Sequence, residues 1–431
     1  MRQRTGENAA PKGESRVRPT FRDVFGVAEF RALWAAQLLS VAGDQLARVA
    51  LTVLVYDRTG SALLAAVTFA ASVVPMFVGA LTLSGLADRL PRRQVMVGAD
   101  LASGALVAVM TVPGLPLAVM IMLLAVVTMA GALFLAARAA VYPDILRGDR
   151  YVLGTAVTMT TLQFAQVAGF AAGGAAVGFL GLRVSLLTDA ATFAASALIT
   201  RVWVHARPAA FRDAPAGAGT SRPGCRGRAG AAGLGAAVRL VLGRPAIRTP
   251  LLFGWLCAFY NLPEGVATPL AGAVGGGAVT VGLILAAQAL GSAVGAIGFS
   301  RFVGPIRRLK WTGPLAVAAC AALMLFATDP DLPGVLLILA LSGLFGCYQL
   351  AANAAFVQAT PPAQRSQAFG IAQGAMSLGQ GIAIILAGAA AERFTPASVI
   401  SVAGGIGTLC ALAVAVSKPA RLTGSGSGDL A

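Results

Sequence analysis

Long apolar runs alternate with short polar joints along nearly the whole chain. Scanned with a window the length of a bilayer crossing, the runs fall at approximately 31–56, 62–86, 95–113, 115–138, 152–180 and 182–204, and then at 250–272, 278–303, 312–328, 333–358, 366–391 and 395–416. About 20 apolar residues cross the hydrocarbon core as a helix, so each run predicts one crossing and the set predicts twelve. In lipid the backbone N–H and C=O groups must be satisfied internally, which selects helices here. The expected fold class is all-α and integral to the membrane. The expected divisions are a tail over 1–30, a six-helix bundle over 31–204, a linker over 205–249, a second six-helix bundle over 250–416 and a tail over 417–431.

Composition narrows the class further. Only 12% of the 431 residues are charged and 57% are hydrophobic, with a mean hydropathy of +0.78. A soluble surface carries about a quarter charged residues, so most of this one must meet lipid, and a soluble globular protein is excluded. The net charge of +16 suggests nucleic acid until its distribution is read. The basic residues sit in the joints, and mostly on one side. That side holds the N-terminal tail, Arg89, Arg92, Arg93, Arg138, Arg147, Arg150, the linker, Arg301, Arg307, Arg308, Lys310, Arg365, Lys418 and Arg421; the other holds only Arg58, Arg183 and Arg393. This bias orients membrane helices, so the expectation is a multi-pass protein of the plasma or inner membrane, both termini cytoplasmic, with the lipid bilayer and no nucleic acid as partner. The first 30 residues lack the short apolar core of a signal peptide and read as a retained tail. The linker carries eight arginines against Asp213. Its later part, 234–242, fits a short basic helix on the inner leaflet and a flexible linker equally well.

The reactive inventory is thin. The five cysteines show no paired spacing and His205 is the single histidine, so neither a disulfide framework, nor a metal site, nor a cofactor is expected. No Gly-rich phosphate loop is present, which removes ATP as an energy source. An intramembrane enzyme fails on the same inventory, and scattered acids do not make the rings of a channel.

Ionisable groups inside apolar runs carry the sharper signal, because each costs a few kcal/mol or more and persists where it faces a cavity or a partner. Asp44 and Arg48 lie one helical turn apart in the first run, share a face and are placed to pair. Glu264 lies in the seventh run after Asn261 and Pro263, which are expected to interrupt the helix, and Asp189 lies in the sixth. Asp44 or Glu264 is the expected proton carrier, with Arg48 the charge that a rearrangement makes or breaks contact with; Asp189 completes the group and reads as structural. Asp100, Asp144 and Arg138 lie near helix ends, where pairing with the joint at 88–93 is the economical reading. Gln45, Gln163, Gln166, Asn261, Gln288, Gln349, Asn353 and Gln373 are the expected polar points of an apolar substrate cavity, with an interhelical hydrogen bond as the alternative for about half of them. Such a lining suits bulky amphipathic molecules better than sugars.

The joint Leu86-Ala87-Asp88-Arg89-Leu90-Pro91-Arg92-Arg93 resembles the loop signature of the major facilitator superfamily, Gly-x-Leu-Ala-Asp-Arg-x-Gly-Arg-Arg. Ser84 and Pro91 stand where that signature has glycine. The resemblance makes Asp88, Arg89, Arg92, Arg93 and, beside them, Arg138 a cytoplasmic gating group. Further stretches look like the drug and siderophore exporter branch: Gly43-Asp44 with Val55 to Ser61, Leu187 to Phe193, and Ala368 to Ala372 leading to Gly379-Gln380-Gly381. Gly169-Phe170-Ala171-Ala172-Gly173-Gly174 is similar to the family's exporter glycine motif, with Phe170 in place of proline. Gly169, Gly173, Gly174, Gly370 and Gly374 are therefore expected at helix crossings, where small residues admit close approach. The resemblance implies two pseudo-symmetric six-helix bundles, alternating access and proton-coupled export of a hydrophobic or amphipathic small molecule, such as a drug, antibiotic or siderophore, by a monomer. An importer of the same fold stays open.

Overall fold

The computed structural model describes residues 20–207, 243–361 and 365–417; the side chains of 81, 84–89, 305–306 and 365–367 also lie outside the description. The 234–242 segment, most of both tails and the side chains of Asp88 and Arg89 thus fall outside the described residues.

Each expected apolar run is helical. After a short α1 (Phe21–Phe25) come α2 (Ala28–Thr59), α3 (Ala62–Ala70), α4 (Val74–Arg89), α5 (Arg92–Val109), α6 (Leu117–Ile145) and α7 (Asp149–Trp203). The second half supplies α8 (Pro245–Trp255), α9 (Cys257–Tyr260), a 3-10 turn (Leu262–Val266), α10 (Ala267–Ala273), α11 (Ala278–Phe302), α12 (Pro305–Leu323), α13 (Leu332–Phe345), α14 (Tyr348–Ala359), α15 (Arg365–Ala391) and α16 (Pro396–Val416). Among the described residues nine helices are long and apolar enough to cross a membrane. That number counts α7 once although it holds 55 residues, and it leaves out α5 and the broken segment from α8 to α10.

At 1.5 Å per residue α7 would run roughly 80 Å, more than twice a bilayer core. It does not run straight. Gly181 takes φ 80° and ψ 169°, a conformation open to glycine, and reverses the chain there. Both limbs then meet the same stretch of α2: a Cβ on Gly169 would come within 3.0 Å of Gln45, and one on Gly43 would collide with Asp189 and Thr192.

Three of the expected single helices are broken, one of them at Gly346 and Cys347 between α13 and α14. Pro75 lacks the N–H that would bond the Ala71 carbonyl, and the chain loosens into a turn between α3 and α4. Between α9 and α10 the Glu264 amide bonds the Asn261 carbonyl (3.1 Å) in a 3-10 turn, so the expected interruption at Asn261 and Pro263 is present. Gly60 (φ 65°) ends α2, and the Ser61 hydroxyl then caps α3 by accepting from the Leu64 amide at 3.1 Å.

The two sequence halves meet through α7 on α11, α15 on α3 and α4, and α10 on α2 and α3. These contacts gather toward the end that holds the joints at 59–62, 273–278 and 391–396. Gly174 and Gly282 let α7 and α11 touch backbone to backbone, since a Cβ on Gly174 would lie 2.7 Å from both the Ala278 carbonyl oxygen and the Gly282 Cα. At the same end Gly388 faces Ala62 to Ala66 of α3, and one turn further Glu392 accepts from the Leu63 amide (2.8 Å) and the Ser61 hydroxyl (2.6 Å).

That carboxylate sits on the N-terminus of α3, where N–H groups and the helix dipole favour an anion. The Leu63 amide, then the Ser61 hydroxyl, hold its carboxyl below the usual range. The ionised form is therefore the one that ties the halves. Its contribution is full above the ordinary carboxylate range and is lost as pH falls through the lowered value. Glu392→Gln is expected to raise the fraction open at this end by roughly threefold, a modest effect because the pair faces water. Distances between spin labels at Val112 and Ala327, in a background without native cysteines, measure it; acid pH should reproduce the shift in the parent and not in the variant.

A candidate substrate cavity in the first half

A cavity of about 390 Å³ lies among α2, α4, α5, α6 and α7, and every residue lining it falls between Gln37 and Phe193. Its walls are mainly apolar, with Val41, Val107, Leu124, Val127, Phe134, Leu135, Met159, Leu162 and Phe193 around a few charged and amide groups. Asp44, Gln45, Arg48, Gln163, Gln166, Asp189 and Arg138 all face it.

Asp44 and Arg48 share the face expected from their spacing, but they do not close an ion pair within 4.0 Å. The Arg48 guanidinium instead donates to the Ser72 carbonyl (3.3 Å) in the turn between α3 and α4 and lies 5.4 Å from the centre of the Phe69 ring. The broken helix explains the difference, because it leaves a carbonyl pointing at α2. Arg48 also interacts electrostatically with two acids, Glu264 from the second half and Asp44 from its own helix. Asp189 is fully buried against Gly43; its Oδ2 has no hydrogen-bond partner, and Thr192 donates weakly to Oδ1 at 3.4 Å.

Asp100 was expected at the joint and lies in the cavity instead. It is buried, and its Oδ2 accepts from the Ser196 hydroxyl of α7 at 2.6 Å. The signal was its depth, two turns inside α5, where a side chain no longer reaches the helix end. Arg138 is displaced the same way: it is 6% exposed, its guanidinium lies 5.1 Å from the Tyr142 ring centre, and it faces the cavity. The joint itself is held by Arg92 and Arg93, and Asp144 pairs with it as expected. Arg92 donates to the Ala140 carbonyl and to Asp144, both at 2.7 Å, and Arg93 donates to the Val204 carbonyl at 3.2 Å. Glu29 accepts from the His205 amide (3.1 Å) and from Arg207 (2.6 Å), and contacts the His205 ring, so the start of the expected linker is tied to α2.

The second-half amides do not line this cavity. Gln288 donates to the Tyr260 carbonyl (2.8 Å) and to Asn261 (3.0 Å), and Gln349 donates to the Gly254 carbonyl (2.9 Å). These bonds brace the broken segment between α8 and α10. Asn353 and Gln373 are exposed. Of the expected crossing glycines, Gly169, Gly173 and Gly174 meet neighbouring backbone or side chains and Gly374 receives the Phe77 ring. A Cβ on Gly370 would meet nothing within 4 Å among the described residues, so Gly370 marks no crossing.

A helical fold with at least nine membrane-length apolar helices among the described residues, and a cavity with acids in its first half, agrees with the comparisons. The family model described as Major Facilitator Superfamily matches residues 33–346 and 265–428. A protein of Mycolicibacterium fortuitum named multidrug efflux pump Tap is 26% identical over 369 residues, covering 83% of this chain and 88% of that protein. The Mycobacterium tuberculosis protein of the same name is 27% identical over 325 residues, covering 72% of this chain and 74% of its own length. Among solved structures, a POT family transporter in complex with 5-aminolevulinic acid superposes with a TM-score of 0.69 at 11% identity, covering 93% of this chain and 97% of that one. The nucleoside transporter NupG gives 0.64 at 16% identity, with 89% and 98% covered. The likeness to these structures extends to the fold, and the family match spans nearly all of the described chain: this protein is a multi-pass membrane transporter that belongs to the Major Facilitator Superfamily.

Proposed function

We propose that this chain is a proton-driven exporter of amphipathic small molecules, working by alternating access in the plasma membrane. In this reading its twelve segments all cross the bilayer, its termini are cytoplasmic, and it acts as a monomer. The end at which the halves meet is then the outer one, and the cavity faces inward. One arrangement carries the proposal: Asp44 and Arg48 line the cavity from one helix without an ion pair, Arg48 donates to the Ser72 carbonyl just after α3, and the second-half turn that carries Glu264 packs against α3. A relative movement of the halves changes the Arg48 to Glu264 separation while Asp44 stays on the same helix. Arg48 is then free to stabilise the Asp44 carboxylate in one state and release it to bind a proton in the other. The apolar walls suit an amphipathic guest, and the curated relatives named as multidrug efflux pumps favour outward movement.

The test uses inverted membrane vesicles acidified inside. An amphipathic dye such as ethidium should accumulate in vesicles holding the protein and leave when nigericin collapses the pH gradient. Accumulation that ignores the gradient, or that appears only with the opposite gradient, overturns the exporter reading.

A further inference from the structure

Among the described residues, one cation of the cavity keeps buried N–H groups without a hydrogen-bond partner. The Nε and Nη1 atoms of Arg138 are buried, face the cavity and make no hydrogen bond. The Tyr142 ring holds the guanidinium at 5.1 Å, which satisfies the charge in part and none of those N–H groups. Buried guanidinium donors left unmade are costly, so a fold that keeps them has a partner to come. The nearby acids do not supply it. Asp144 is bonded to Arg92 and Asp100 to Ser196, and no carboxylate of the described residues lies within 4.0 Å of Arg138. Asp44 and Asp189 gather instead around residues 43 and 44 of α2. The cavity is therefore electrically two-sided, with acids beside α2 and an open guanidinium on α6.

We infer that Arg138 is an anion subsite of the transport cavity: it receives the carboxylate, sulfonate or similar acidic group of an amphipathic substrate whose apolar body lies along Phe134, Leu135, Met159 and Leu162. This inference rests on the reading of the cavity as the substrate site and adds the substrate's charged group. Arginine suits the task because it stays ionised and offers several donors to a planar or tetrahedral anion.

Two fluorescent probes that share an arylnaphthylamine skeleton separate charge from shape: 1-anilinonaphthalene-8-sulfonate carries a sulfonate and N-phenyl-1-naphthylamine carries none. Binding is measured to the full-length protein in phosphatidylcholine nanodiscs, with empty nanodiscs subtracted. The parent protein should bind the sulfonate at least about tenfold more tightly than the neutral probe, as expected for hydrogen bonds to a buried charge. Arg138→Gln should weaken sulfonate binding by a similar factor and move neutral-probe binding by less than about twofold, and Arg138→Lys should restore part of the preference. Equal binding of both probes by the parent, absence of saturable sulfonate binding, or equal weakening of both probes in Arg138→Gln overturns the subsite. The ethidium vesicle assay reports separately on the exporter reading. Proton-driven accumulation without sulfonate preference removes the subsite alone, and sulfonate preference with proton-driven accumulation of neither ethidium nor the sulfonate removes the exporter alone.

Discussion

Asp44→Asn is expected to reduce substrate-driven proton movement to the level of protein-free liposomes while leaving substrate exchange at equal pH in place. The cavity gives this carboxyl three properties that a carrier needs: it faces the chamber, no ion pair with Arg48 fixes it, and the charge of Arg48 is shared with an acid of the other half. Asparagine keeps the shape and the hydrogen-bonding capacity and removes the proton site, so coupling is lost without a large change in packing. Loss of one counter-charge leaves Arg48 more exposed to the cost of burial, a penalty of about 1–3 kcal/mol that Glu264 and the Ser72 carbonyl offset in part. Glu264 is set in the 3-10 turn outside the cavity wall; Glu264→Gln is accordingly expected to slow turnover and keep coupling. Proteoliposomes loaded with a pH-sensitive dye and given substrate report both outcomes. Undiminished proton release in Asp44→Asn clears Asp44 of the role, and loss of coupling in Glu264→Gln alone moves the role across the boundary between the halves.

Hydropathy located the long helical segments because it measures how much apolar length lies between polar joints, which is what a bilayer selects; the short α1 lies in the expected tail. Hydropathy did not show the break after α3, although Asn261 and Pro263 did signal the one before α10. The turn after α3 depends on one missing N–H at Pro75, and the run from 62 to 86 stays apolar through it. Arg48 could not be assigned its Ser72 carbonyl until that break was known. The amides failed for a related reason. The 3-10 turn moves the Glu264 amide onto the Asn261 carbonyl, which leaves the Tyr260 carbonyl for Gln288. A glutamine in an apolar run signals an unmet need for a hydrogen bond, and only the backbone of its neighbour says whether that need is a cavity or a broken helix. Asp100 and Arg138 erred in the opposite direction. Both sit close in sequence to a basic joint, yet each lies about two turns inside its helix, and depth decided over sequence distance. Gly174 was legible as a crossing residue from its small neighbours, whereas its partner Gly282 carried no motif and became visible only with α7 and α11 in contact.

Gly282→Ala is expected to disfavour closure at the end where the halves meet and to cut transport by more than about tenfold. An added Cβ would stand 2.6 Å from the Phe170 carbonyl oxygen, 2.8 Å from the Gly174 Cα and 3.0 Å from the Gly174 nitrogen. All three are backbone atoms of α7, so no side-chain rotation relieves the overlap and the two helices must separate. Overpacking of this kind costs about 1–3 kcal/mol, which moves a two-state equilibrium by roughly 5- to 150-fold. Under the alternating access proposed above, the crossing parts when this end opens and the cost falls on the closed state only, so the predicted result is a population shift and not unfolding. Gly298→Ala on the same helix is the control. Its Cβ would meet nothing within 4 Å, and replacing an unconstrained helical glycine by alanine favours the helix by about 0.5–1 kcal/mol. Spin labels at Val112 and Ala327 should therefore report a larger open fraction in Gly282→Ala and the parent distribution in Gly298→Ala. An unchanged distribution in Gly282→Ala would mean that the glycine pair fixes helix spacing in both states and plays no part in opening.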